Sequence, residues 1–176
     1  MIARLAAAGF VLAAAGAAVA PAPRAAALEL PVPVIAQAPE HCGPVALAMV
    51  LRFYGAPDSG LAWAERAYSP ALRGALISDL ARVAERAGYA ARVASLTEDS
   101  LRVLLADSLP PILHYRTGSV PVARGHYGVL TGWDPARGEY LVNDGGPKAA
   151  RFRRDDLMKR WRAADSLALI VKRRSP

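Results

Sequence analysis

The chain predicts an α+β fold built on an antiparallel sheet, and three observations carry that expectation. Helix-like apolar patterns gather in the first half of the sequence. Short apolar or alternating runs, separated by Gly/Pro/Asp turns, fill the second half. The two kinds of segment do not alternate as βαβ units would require. With 176 residues, 53% of them hydrophobic, the chain is large enough for one domain around a single core. Its one cysteine excludes an internal disulfide.

Taken in order, Leu28 to Ile35 is punctuated by Pro31 and Pro33 and reads as an extended lead-in rather than a central strand. Gly43 to Tyr54 predicts a helix. Pro44 suits its first turn, where a missing N–H costs nothing, and Gly55 is placed to end it. Val45, Leu47, Ala48, Met49, Leu51 and Phe53 make this helix apolar nearly all round, so burial is expected. A short helix over Leu61 to Tyr68 is limited by Pro70. Another, from Ser78 to Ala87, carries Leu80, Val83, Ala84 and Ala87 on one face and stops at Gly88. Tyr89 to Ala94 alternates as a strand does. Thr97 is a good N-cap for a helix through Leu101, Leu104 and Leu105. Pro110-Pro111 forces an extended entry into a buried strand, Ile112 to Tyr115. After a polar loop from Thr117 to Gly125, His126 to Trp133 and Glu139 to Asn143 form a hairpin about the turn Asp134-Pro-Ala-Arg-Gly138. Ala149 to Phe152 is a further strand, Asp155 to Arg162 a helix around Leu157, Met158 and Trp161, and Leu167 to Val171 a final strand.

The first 27 residues stand apart. Arg4 is the only early charge. A run of Ala, Gly, Val and Leu follows, closed by small residues at Ala18-Val-Ala20 and again at Ala25-Ala-Ala27. A basic start, an apolar stretch and an A-x-A end predict a secretory signal peptide, cleaved after Ala20 or Ala27. The expected location is periplasmic or secreted, with membrane contact only if this segment is retained. The domain is then residues 28–172, followed by a charged tail at 173–176. Of the net charge of +7, Arg4 and Arg24 supply two, which leaves +5 from Leu28 onward. The basic residues are spread along solvated faces and lack the aromatic interleaving of a nucleic-acid surface, so no nucleic-acid partner is expected. The lone cysteine and scattered histidines lack zinc spacing; neither a metal nor a cofactor is expected.

The chemistry concentrates at Cys42. A thiol at a helix start meets free backbone N–H groups and the positive end of the helix dipole, both of which favour the thiolate. Gly43 is expected to leave the backbone open to a substrate carbonyl. Gln37, five residues upstream, offers a side-chain amide to an oxyanion, together with the N–H of Cys42. Of the three histidines, His41 neighbours the thiol in sequence but points elsewhere at a helix entry. His114, in an apolar strand, reads as a satisfied core residue. His126, opening a strand after a Gly-containing loop, is the candidate general base and acid. Its orienting partner is Asn143 or Asp144 at the end of the returning strand. Strand neighbours face opposite ways, and the turn does not set the register to one residue, so spacing leaves the choice open. Asp134 is ordinary turn chemistry.

These residues carry a resemblance. Gln37-Ala-Pro-Glu-His-Cys-Gly-Pro-Val-Ala-Leu-Ala-Met-Val-Leu-Arg-Phe-Tyr-Gly55 is similar to the nucleophile helix of the C39-type cysteine peptidases. The stretch His126-Tyr-Gly-Val-Leu-Thr-Gly-Trp-Asp134, with Tyr140-Leu-Val-Asn-Asp144-Gly, resembles their histidine hairpin and closing aspartate. The resemblance implies a papain-like fold, with the nucleophile helix packed on a C-terminal antiparallel sheet. It implies Cys42 as nucleophile, His126 as base, Asp144 rather than Asn143 as orienting residue, and Gln37 as oxyanion donor. It implies hydrolysis of peptide bonds in a peptide or protein substrate through an acyl-enzyme; the best-known members cut leader peptides after a Gly-Gly pair. His41 stands where the family often has Asp or Asn, and Gly145 where exporter members usually have proline. The expectation is a stand-alone exported member. A cell-wall amidase or acyl-transferase would use the same triad, and a catalytically silent peptide-binding module would keep the same fold.

Overall fold

The computed structural model describes residues 26–36, 38, 40–57, 60–118 and 123–174. Residues 1–25, which carry most of the expected leader, and Gln37 lie outside the described residues.

The first strand, β1 (Leu28–Glu29), is two residues long. Helix α1 (Cys42–Phe53) follows, with Gly43 to Leu51 buried without interruption, as its all-round apolar sequence requires. Gly55 ends it with φ +86°. The next helical segment divides into α2 (Gly60–Ala64) and a 3-10 turn (Glu65–Ala67). Helix α3 (Ile77–Arg86) buries Leu80, Val83 and Ala84 and turns its charges outward. Strand β2 (Tyr89–Ser95) leads to α4 (Glu98–Ala106). There the Thr97 side chain accepts the Ser100 N–H at 3.2 Å, the cap its position predicts. Then come β3 (Ile112–Thr117), β4 (Arg124–Asp134), β5 (Glu139–Asn143), β6 (Ala150–Arg153), α5 (Arg154–Arg162) and β7 (Leu167–Arg173).

The strands form one sheet in the order β2-β7-β3-β4-β5-β6, with β1 also paired to β4. Every pairing is antiparallel. Helix α1 packs on β4 and against α2 and α3, while α5 packs on β3, β5 and β6. The expected α+β division therefore holds. Strand β4 is the spine: it pairs with β3 through its first half and with β1 near its end. A Cβ on Gly132 would lie 2.5 Å from the Leu28 carbonyl oxygen, so glycine is what lets β1 close on β4.

Two boundaries differ from expectation. The last strand runs past Val171, because β2 offers partners for Lys172 and Arg173. Arg173 also donates to the Tyr54 carbonyl, so it belongs to the sheet and not to a tail. Backbone pairing sets that end, whatever the charge of the side chains. Likewise β4 starts at Arg124, paired with Thr117, so His126 is its third residue rather than its first. Among the described residues no helix is long and apolar enough to cross a membrane.

Candidate active site

The N-terminus of α1 presents Cys42, partly exposed, to a cleft of about 910 Å3. Across it, β4 presents His126. The Cys42 thiol and the His126 imidazole face each other closely enough that each shifts the other's pKa. On the ring's other side, Nε2 lies 3.2 Å from the main-chain oxygen of Asp144. Nε2–H therefore donates to that carbonyl, which leaves Nδ1 for the sulfur. The ring of Tyr115, cross-strand neighbour of His126, meets the imidazole edge-on at 5.3 Å between centroids. The Tyr115 hydroxyl is buried and has no hydrogen-bond partner among the described residues.

Asn143 and Asp144 separate cleanly. Asn143 pairs with Val129 in the ladder and is buried, and its amide donates to the Val32 carbonyl at 3.1 Å. It fastens the extended lead-in to the sheet and does not face the histidine. Asp144, one residue beyond β5, reaches His126 through its main-chain carbonyl. Its carboxylate adds negative charge that favours the imidazolium.

Burial is the largest influence on the Cys42 thiol and pushes its pKa up. The hydrogen bond from His126, the Tyr127 N–H, the charge on His126 and the Gly43 N–H outweigh it, and the thiol ends below its ordinary value. For His126, burial disfavours the imidazolium. The hydrogen bond and charge of Cys42, then the carbonyl and charge of Asp144, outweigh burial and raise its pKa. Both directions favour a thiolate–imidazolium pair.

Other expectations are revised. Gly43 does not face the cleft; it is buried, and a Cβ there would meet Ala75, Tyr127 and Leu80 at 3.1–3.3 Å. Its smallness lets α1 pack closely against Ala75, Tyr127 and Leu80. His114 is not a core histidine. It is only half-buried, lines the cleft, and its ring lies 5.0 Å from that of Tyr127. The buried positions of β3 around it are Ile112, Leu113 and Tyr115. Burial, then the nearby Arg116, hold its pKa below the usual imidazole value. His41 turns away from the thiol. Its Nδ1 lies 2.8 Å from Glu65 Oε2 and its ring stacks on Tyr68 at 4.3 Å. Asp134 accepts the N–H groups of Ala136 and Arg137 and pairs with the Arg137 guanidinium, as a turn residue does. Sequence reasoning missed Tyr115, Glu40, Tyr68 and Arg73. Each acts through a partner distant in the chain, and only Pro70 and Gly74, as turn residues, signalled the loop that carries Arg73. Among the described residues no group of three or more His, Cys, Asp or Glu side chains could hold a metal ion.

The Peptidase_C39 like family matches residues 29–169. The chain belongs to that family. As a member of it, the chain is a cysteine peptidase. A 112-residue stretch is 38% identical to the colicin V secretion/processing ATP-binding protein of Escherichia coli. The match covers 61% of this chain and 15% of the Escherichia coli protein, so the chain spans a small part of that relative. Among solved structures, a C39-like peptidase from Bacillus anthracis superposes with a TM-score of 0.67 at 17% identity, covering 85% of this chain and 99% of that one. A double glycine motif protease from an AMS/PCAT transporter, solved with its leader peptide, gives 0.65 at 21%, covering 83% and 94%. These likenesses establish the papain-like α+β fold of the C39-like domain.

Proposed function

We propose that this C39-like domain is an exported peptidase that hydrolyses peptide bonds through Cys42, His126 and Asp144. The observation that carries the reading is that Cys42 and His126 line one open cleft and each shifts the other's pKa, with Nε2 of the same ring held by the Asp144 carbonyl at 3.2 Å. The Cys42 thiolate attacks the scissile carbonyl and a C–S bond forms. The oxyanion lies against the Cys42 N–H, which as the first of α1 has no intrahelical acceptor; the second donor that the family resemblance implies is Gln37, outside the described residues. His126 gives its proton to the leaving amine. It then takes one from water, whose hydroxide breaks the C–S bond to release the acid and the thiolate. The Asp144 carbonyl keeps the ring in the tautomer that points Nδ1 at sulfur, and its carboxylate stabilises the imidazolium.

The double glycine motif of the leader-bound neighbour makes a Gly-Gly peptide the first substrate class for this chain. With synthetic peptides, cleavage is expected after the second glycine of an internal Gly-Gly pair, to slow at least about a hundredfold when the pair is Ala-Ala, and to vanish in Cys42→Ala. Mass spectrometry of the products reads the bond cut. Release of an amine from purified peptidoglycan, with every peptide left whole, would replace this reading with the amidase one. Absence of both activities, with thiol alkylation indifferent to His126, would leave a binding module.

Export is the second part of the reading and rests on the basic start and A-x-A ends of residues 1–27. Intact-mass measurement of the full chain expressed in a bacterium is expected to find a mature N-terminus at Pro21 or Leu28 in the cell envelope. An intact Met1 in the cytosol would remove this part and leave the chemistry standing.

A further inference from the structure

The two residues before the nucleophile are held from the side. Glu40 has φ +73°, a left-handed conformation that a side-chain-bearing residue rarely adopts and that persists only where its surroundings impose it. Its carboxylate is gripped by Arg73, whose Nε donates to Oε1 at 2.8 Å and whose Nη2 donates to the same oxygen, and by the Tyr68 hydroxyl on Oε2 at 3.3 Å. Arg73 is itself left-handed, with φ +50°. It sits in a loop closed by the Ser69 and Gly74 backbones, and Tyr127 ties the far end of that loop through the Ala75 carbonyl at 3.1 Å. Tyr68 stacks on His41, which Glu65 holds. The N-cap residue of α1, His41, makes no side-chain capping bond to the helix, whose first residue is the proposed nucleophile. This lateral grip acts on the backbone that enters α1, beside the bonds from the His41 N–H to the Ala38 carbonyl and from the Val45 N–H to the His41 carbonyl. Glu40 and Arg73 also line the cleft beside Cys42.

We infer that Glu40 is a positioning residue: gripped by Arg73 and Tyr68, it aims the Cys42 N–H at the oxyanion of the attacked carbonyl. The inference rests on the peptidase reading above. It separates two reactions of the same thiol. Alkylation by iodoacetamide forms no oxyanion and reads the thiolate, which His126 and the Tyr127 and Gly43 N–H groups support. A peptide aldehyde forms a hemithioacetal, in which the thiolate adds to the carbonyl carbon and the negative oxygen sits where the N–H points. In Glu40→Ala, aldehyde affinity is expected to fall about tenfold or more while the alkylation rate and its pH profile stay within about twofold of wild type. Glu40→Gln keeps an acceptor for Arg73 and is expected to recover most of the affinity. Glu40→Gly relieves the left-handed conformation without restoring the grip and is expected to be as weak as alanine. Arg73→Ala, at a largely exposed side chain that leaves the core untouched, is expected to match Glu40→Ala. Wild-type aldehyde affinity in both alanine variants overturns the proposal, as does recovery in Glu40→Gly, which would make backbone strain the whole effect. A loss in Arg73→Ala alone also overturns it, since Arg73 would then touch the substrate directly. If the unaltered protein binds no aldehyde and alkylates at the same rate as His126→Ala, the peptidase reading itself fails, a result distinct from all of these.

Discussion

Replacement of His126 by alanine is expected to slow peptide cleavage about a thousandfold or more and to move the pH dependence of Cys42 alkylation upward. In the proposed mechanism the cleavage loss follows from removing the group that protonates the leaving amine and activates water. The alkylation shift follows from the balance at the thiol. Without His126, burial, the largest influence, is still opposed by the Tyr127 and Gly43 N–H groups but loses its strongest counterweight, and the thiolate forms at higher pH. At neutral pH the alkylation rate is expected to drop about tenfold or more. In the unaltered protein the sign works on both limbs. The Cys42 pKa lies below its ordinary value, so turnover rises with pH earlier than a free thiol allows. The His126 pKa lies above its ordinary value, so the imidazolium persists, and turnover falls only when that raised pKa is passed. An alkylation profile in His126→Ala superimposable on that of the unaltered protein would show that the two groups do not act as a pair.

Gly128→Ala is expected to destabilise the domain by about 1–3 kcal/mol, although it adds one methyl group. Gly128 lies two residues after His126 on β4. A Cβ there would stand 2.6 Å from Val142 Cγ1 and 3.1 Å from the Tyr115 hydroxyl. Val142 and Tyr115 are both fully buried and have nowhere to retreat. For a domain of this size each kcal/mol lowers Tm by about 2–4 °C, which differential scanning calorimetry resolves. Because Tyr115 is the ring against which His126 rests, cleavage is expected to fall further than stability alone explains. Adding Val142→Ala removes the nearest clashing atom, so the double variant should be more stable than the sum of the two single losses. A Tm for Gly128→Ala equal to that of the unaltered protein would mean that the sheet yields at this point.

Much of this arrangement was legible because its causes are local. The nucleophile helix follows from Pro44, an unbroken apolar run and Gly55, all within a dozen residues of the thiol. The histidine hairpin follows from two short apolar runs about an Asp-Pro-Ala-Arg-Gly turn, which closes at Asp134 as its chemistry requires. What stayed out of reach depends on register and packing. Spacing put Asn143 and Asp144 on equal footing; the ladder, pairing Asn143 with Val129, sends one to Val32 and the other to His126. Nothing near His114 in sequence says that Tyr127 and a cleft, rather than the core, will receive its ring.

The order Cys, His, Asp and the identity of the elements that bear them are properties of the chain, set by short-range periodicity and turn chemistry. The atom by which Asp144 reaches the histidine, the packing purpose of Gly43 and the grip of Arg73 on Glu40, 33 residues apart, are properties of the folded molecule. Local rules say which segment becomes helix or strand. They carry no information about which distant backbone will lie beside it, and that neighbour fixes where each side chain points.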